Sequence, residues 1–215
     1  MKSTWQIGLL FILVSSVPGL AQDMTLLVDY QPFSSVEEAA SAEQTIEWSG
    51  KDIAVMTVCT QSYAALELQQ HLRQAFQKPS FFSIRPLRKD VNANSIVVAG
   101  LHHPSVEEIA DKYRLDTLLS AEESFAIISD RDRLYIIGHD RVGTLYGVYH
   151  FLGSMGFRWF APGDLGMVAP SLQRIPMPAA PIVEKPGYVT RGFWAWEDRG
   201  RPEFYRWMAR NRLNF

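Results

Sequence analysis

The stretch SFAIISDRDRLYIIGHD, from Ser124 to Asp140, limits what this chain can fold into more than any other. It consists of two β-rich runs split by Asp130, Arg131 and Asp132, the pattern of a hairpin. In the first run Phe125 and Ile127 fall on one face, and Ala126 and Ile128 on the other. A sheet with one wet face would alternate apolar and polar residues, and these strands do not. The hairpin therefore predicts a sheet covered on both sides.

The flanking segments supply cover. Asp140 is placed to cap RVGTLYGVYHFLGSMG, in which Val142, Leu145, Tyr146, Tyr149 and Leu152 form one helical stripe. Gly143 and Gly147 each cost about 1 kcal/mol in helix propensity, so their presence predicts close approach to the sheet. Gly156 is suited to end this helix, and FRWFAP is predicted to return as a strand. Upstream, SYAALELQQHLRQAFQK carries Ala65, Leu68, Leu72 and Ala75 at helical spacing, with Thr60 or Ser62 able to cap its start. KDIAVMTVCT before it reads as a strand ending in Cys59, a buried small hydrophobe. TLLVDY, FFSIRPL and SIVVAG are further strands, SVEEAASAEQ a helical turn or loop, and HPSVEEIADKY a short helix with Ser105 as cap. The predicted fold is α+β: a mixed or antiparallel sheet with the helices near residues 61–77 and 140–155 side by side on one face.

The two ends of the chain differ in kind from this middle. Lys2, the apolar run IGLLFILVSSV and then PGLAQD have the layout of an export leader over residues 1–21, cut after Ala21. The apolar run is shorter than the roughly 20 residues that span a bilayer, so no stable membrane anchor is expected once the leader is gone. An exported, periplasmic or extracellular protein with one cysteine must rely on its core rather than on disulfides. With a formal net charge of −2 and no long basic run, nucleic acid is not an expected partner. Residues 22–169 make one α/β domain, and Pro170, Pro176, Pro178, Pro181 and Pro186 stiffen a linker over 170–187. From residue 188 to 215, YVTRGFWAW reads as a strand and PEFYRWMARNRLN as a helix with Pro202 in its first turn. LNF then begins another apolar element.

The block ESFAIISDRDRLYIIGHDRVGTLYGVYHFLGSMGFRWFAPG resembles the small α/β domain that precedes the catalytic barrel in bacterial exo-glycosidases. These include α-glucuronidases and β-N-acetylhexosaminidases. AALELQQHLRQAF and SIVVAG look like the first helix and strand of that domain. EKPGYVTRGFWAW and WMARNRLNF look like the start of the barrel. The resemblance runs from about Asp52 to the end. It implies that residues 188–215 are the first βα unit of a truncated TIM-type barrel, whose remainder would be a partner in a longer parent acting on carbohydrate.

Glycoside hydrolysis ordinarily takes two carboxyl groups flanking the scissile bond, and barrel sites draw on several strands. The resemblance implies that the carboxylates lie further along, so no catalytic residue is assigned here. Glu197 and Asp198 are adjacent acids beyond the first barrel strand, suited to rim contacts. The resemblance points to Arg191 as a grip on sugar hydroxyls, with Trp194, Trp196 and Asp198 as further substrate contacts. A guanidinium offers a fixed fork of donors and indoles stack on sugar C–H faces. Arg191 could equally brace the barrel floor against an acid, and the tryptophans could fill its core. His102 and His103 lack the companion ligands of a metal site, and neither metal nor other cofactor is expected. The α/β domain itself could bind carbohydrate or act as a brace, and its doubly apolar strands favour the brace.

Overall fold

The computed structural model describes residues 24–42, 45, 52–77, 81–192 and 200–214. The leader expected over residues 1–21 lies outside them. At the centre stands the predicted hairpin, β4 (Phe125–Asp130) and β5 (Arg133–Gly138), paired antiparallel from Asp130–Arg133 to Phe125–Gly138. Its two-residue turn works because Arg131 takes a left-handed φ of 58°. On the β5 side the sheet continues with β3 (Ser95–Gly100), β1 (Thr25–Val28) and β2 (Ile84–Pro86), all parallel to β5. The result is a mixed six-stranded sheet, more parallel than the hairpin alone foretold.

Both faces are dry, as the residue pattern requires. Leu26, Val28, Ile96, Val98, Phe125, Ile127, Leu134 and Ile136 point to one face. Their neighbours Leu27, Val97, Ala99, Ala126, Ile128, Tyr135 and Ile137 point to the other. Burying each of the larger aliphatic or phenyl side chains among them is worth about 1.5–3 kcal/mol. The first face carries α2 (Ile53–Phe76) and α5 (Arg141–Ser154) side by side. The short α1 (Val36–Ala42) lies against α2. The second face is covered by α3 (Glu107–Tyr113) and α4 (Leu115–Leu118) through Ile109, Ala110 and Leu115.

Three expectations fail for physical reasons. The run KDIAVMTVC is not a strand but the opening of α2, which spans 24 residues. Its Met56 and Cys59 lie in phase with the buried stripe of the same helix, whereas Ile53 is 63% exposed, as no core strand residue would be. Packing here overrides the β-branched preference of Ile53, Val55 and Val58. Thr60 and Ser62 are consequently interior, Thr60 donating to the Met56 carbonyl at 3.0 Å, and Asp52 stands at the N-cap. Ser105 does not cap either: His103 Nδ1 accepts from the Ser105 amide, and the Ser105 hydroxyl donates to the Arg88 carbonyl.

The third failure lies in FRWFAP. Only β6 (Arg158–Trp159) forms, paired with β7 (Met167–Val168) in a separate small ladder. The free edge of β4 is taken instead by β8 (Ile182–Glu184), from inside the proline-rich stretch. Proline is tolerated at the ends of such an edge strand, and Pro181 precedes it directly. Residues 188–192 form no strand, and residues 193–199 of the expected barrel strand are outside the described residues. The helix that follows is present as α6 (Pro202–Arg210), with proline in its first turn.

The glycines of α5 behave as their cost suggested. A Cβ on Gly147 would stand 2.8 Å from Ile136 Cγ2, and one on Gly143 would stand 2.3 Å from the Ser124 carbonyl oxygen. Only bare backbone lets the helix lie this close to β4 and β5.

Candidate functional site

Asp140 is where the functional region starts to take shape. One carboxylate oxygen accepts from the Gly143 amide at 2.7 Å and so caps α5. The other accepts from the Glu123 amide at 2.8 Å. Glu123 itself has a left-handed φ of 62°, and this bond helps hold its side chain facing Arg191.

Arg191 and Glu123 form an ion pair, Nη2 to Oε2, with both side chains largely buried. The other donors of the guanidinium are also engaged, Nε with the Arg212 carbonyl at 2.9 Å and Nη1 with the Tyr188 carbonyl at 2.6 Å. The ring of Tyr146 lies 5.7 Å from the guanidinium carbon. Burial, and then the Glu123 charge, raise the Tyr146 phenol above its ordinary pKa. Asn214 completes the knot: its amide donates to the Arg191 carbonyl while its Oδ1 accepts from the Arg191 amide, both at 2.8 Å. Its side-chain nitrogen reaches Glu123 Oε1 at 2.9 Å. A small cleft of about 260 Å³ opens beside this network, lined by Glu184, Lys185 and Arg212 as well as by Glu123, Tyr146 and Arg191.

The residues alone left Arg191 open as grip or brace; among the described residues its guanidinium meets Glu123 and the carbonyls of Arg212 and Tyr188. Trp194, Trp196, Glu197 and Asp198 lie outside the described residues, so no arrangement of them with Arg191 is stated.

A second network was not foreseen. On α2, Tyr63, Glu67 and His71 recur every four residues and form a polar line inside the apolar stripe. Glu67 accepts two bonds from Arg210 of α6, at 3.0 and 3.2 Å, and a third from the Tyr149 hydroxyl at 3.0 Å. Burial foremost, then the Glu67 charge, push Tyr63 up to about 12 and Tyr149 well above its usual range. His71 donates from Nδ1 to the Glu67 carbonyl at 2.7 Å and presses edge-on against Phe157 and Trp159. Its burial holds the imidazole below its usual pKa. Trp207 and Asn211 both donate to the Trp159 carbonyl, at 2.8 and 3.1 Å. The spacing of Tyr63, Glu67 and His71 was the available signal, since a charged residue in a buried helical line calls for a partner.

Two acids near α6, Glu67 and Glu123, are thus each paired with an arginine. His150 accepts from Arg212 at 3.1 Å and tilts against Phe125. His103 Nε2 faces Asp29 at 3.5 Å. Among the described residues no group of three or more His, Cys, Asp or Glu side chains could hold a metal ion, and no helix is long and apolar enough to cross a membrane.

The profile described as "Glycosyl hydrolase family 67 N-terminus" matches residues 28–151, more than half of the chain. No curated protein matches. One similar solved structure is a novel family GH115 4-O-methyl-α-glucuronidase, BtGH115A, with specificity for decorated arabinogalactans. It is 13% identical with a TM-score of 0.48, and the match covers 91% of this chain and 25% of that one. Another is CpGH84D, 8% identical with a TM-score of 0.35, the match covering 60% of this chain and 17% of that one. The chain therefore spans a quarter or less of the length of these solved structures.

Proposed function

Because the chain belongs to the glycosyl hydrolase family 67 N-terminus family, we propose that it is the leading, non-catalytic part of an exported glycoside hydrolase that degrades carbohydrate. In this reading residues 22–169 are an accessory domain and residues 188–215 begin a catalytic barrel whose remaining strands carry the acid and its partner carboxylate. The observation that carries the reading is the seating of α6. Glu67–Arg210 and Glu123–Arg191 tie the segment after β8 to the family domain. A domain that anchors the start of the next one acts as a brace.

The parent is an exo-glycosidase of α-glucuronidase or β-N-acetylhexosaminidase type. Arg191 sets the position of the first barrel strand, and Trp194, Trp196 and Asp198 contact substrate. Chromogenic glucuronides and N-acetylhexosaminides, assayed with the 215-residue chain and with a parent extended through the barrel, test this. Turnover is expected from the extended protein alone. Reproducible turnover by the 215-residue chain, lost on mutating Glu197 or Asp198, would place the chemistry within this segment and overturn the reading. Export is tested by N-terminal sequencing of protein recovered outside the cytoplasm, expected to begin at Gln22.

A further inference from the structure

We infer that the crevice at the carboxyl ends of β1, β3 and β5 binds a neutral, hydroxyl-bearing small molecule of mono- or disaccharide size. These strands are parallel neighbours, so their carboxyl ends share one rim. The chain leaves β1 through α2 on one face of the sheet and leaves β3 through α3 and α4 on the other. Their connections run in opposite directions, to β2 on one side and to β4 and β5 on the other. Ligands in open α/β sheets enter at such a switch point. The crevice has a volume of about 550 Å³, ample for a small ligand.

Gln61 makes the crevice more than a gap. It is 4% exposed, lines the crevice from α2, and its side chain has no hydrogen-bond partner among the described residues. A Cβ on Gly100 would stand 3.0 Å from Gln61 Nε2, so the bare glycine gives the amide its room. A carboxamide that meets no protein group and opens on a crevice is satisfied by a group that both donates and accepts, as a hydroxyl does.

The other polar groups of the lining include the histidines, two carboxylates and the Arg141 guanidinium. His103 Nδ1 accepts from the Ser105 amide, which puts its proton on Nε2, toward Asp29. The Asp29 carboxylate also lines the crevice, where it can accept from a ligand hydroxyl. His139 adds a buried, unpartnered Nδ1. Two carboxylates, Asp29 and Asp140, line the crevice against one guanidinium, Arg141, which disfavours an anion. A polyol would find both acceptors and donors, with apolar walls from Val58 and Leu101 for its C–H faces. The choice of sugars rests on the carbohydrate reading above, but the crevice does not.

The test is a titration of the isotope-labelled 215-residue chain, followed by amide shifts, with methyl xyloside, N-acetylglucosamine and glucuronate in turn. Saturable shifts are expected around Gln61, Gly100–His103 and His139–Val142 with at least one neutral sugar, at a Kd of about 1 mM. Gln61→Leu should weaken binding about tenfold without lowering the melting temperature, because the amide supports nothing in the described fold. If that variant does not fold, Gly100→Ala, whose Cβ presses on the amide, must show the same loss. No saturation by either neutral sugar, equal affinity in the variant, or binding of glucuronate alone would each overturn the proposal. The titration can fail while the glycosidase assay succeeds, and the reverse, so the two readings stand or fall separately.

Discussion

Glu67 on α2 and Arg210 on α6, 143 residues apart in the chain, meet in a two-pronged ion pair with nitrogen–oxygen distances of 3.0 and 3.2 Å. The side chains are 7% and 13% exposed, so neither charge can fall back on water. Removing one partner of such a pair costs about 3–5 kcal/mol, whereas replacing both is often close to neutral. Arg210→Met should therefore lower the urea midpoint sharply. The double variant Glu67→Gln with Arg210→Met should recover most of that loss. Equal midpoints in the two variants would mean that the pair is not what holds α6.

Acid should weaken the same region. His71 has a folded pKa below its ordinary 6.5, chiefly through burial, and His150 is lowered by burial and then by Arg212. Below 6.5 the unfolded chain binds the proton more readily than the folded one, so stability rises with pH there. The stability is complete above about 6.5 and is lost as pH falls from there through the folded values. Urea midpoints between about pH 5 and pH 8 should show this slope, and His71→Gln should flatten it. A slope of the opposite sign would refute the assignment.

Two glycines on one helix should respond oppositely to alanine. At Gly147 the new Cβ meets Ile136 at 2.8 Å and Phe125 at 3.3 Å, and overpacking of this kind costs about 1–3 kcal/mol. At Gly153 nothing lies within 4 Å, so alanine should stabilise through helix propensity, by up to about 1 kcal/mol. Thermal melts of Gly147→Ala and Gly153→Ala give the comparison, and a gain at Gly147 would show that α5 can lift from the sheet.

Arg191 should not tolerate lysine. Its guanidinium reaches Glu123, the Arg212 carbonyl and the Tyr188 carbonyl from different nitrogens, which one ammonium cannot copy. Loss of a charged hydrogen bond is worth about 1.5–3 kcal/mol. Amide exchange at Asn214 should accelerate in Arg191→Lys nearly as much as in Arg191→Ala. Full protection in the lysine variant would mean that charge alone suffices.

What could be read in advance was what periodicity encodes. Phe125, Ala126, Ile127 and Ile128 announced a sheet with two dry faces, Asp140 announced a helix start, and Gly143 and Gly147 announced close packing. The start of α2 was misread because Ile53, Val55 and Val58 favour a strand locally, while the stripe through Met56 and Cys59 becomes decisive only once the sheet is there to pack on. β8 was invisible because three residues among prolines carry no period, and what makes them a strand is the vacant edge of β4. The two arginine pairs were hidden for a related reason. Glu67 and Arg210, or Glu123 and Arg191, are ordinary residues in their own segments and gain meaning only from folding. The Arg191 neighbourhood was singled out through resemblance, and its pairing with Glu123 had no local signature.

Among the attachments of α6 and the turn after it are three at separate places: Arg210 on Glu67, Trp207 on the Trp159 carbonyl, and the Leu213 carbonyl, which accepts from the Tyr146 hydroxyl. A rod held at one point can pivot about it, and each further point of attachment removes some of that freedom. The helix is mounted as an optical element is mounted on three seats, with its direction in space set by the sheet beneath it. Loosening any one seat should turn the helix rather than release it, so damage there would be felt first as misalignment.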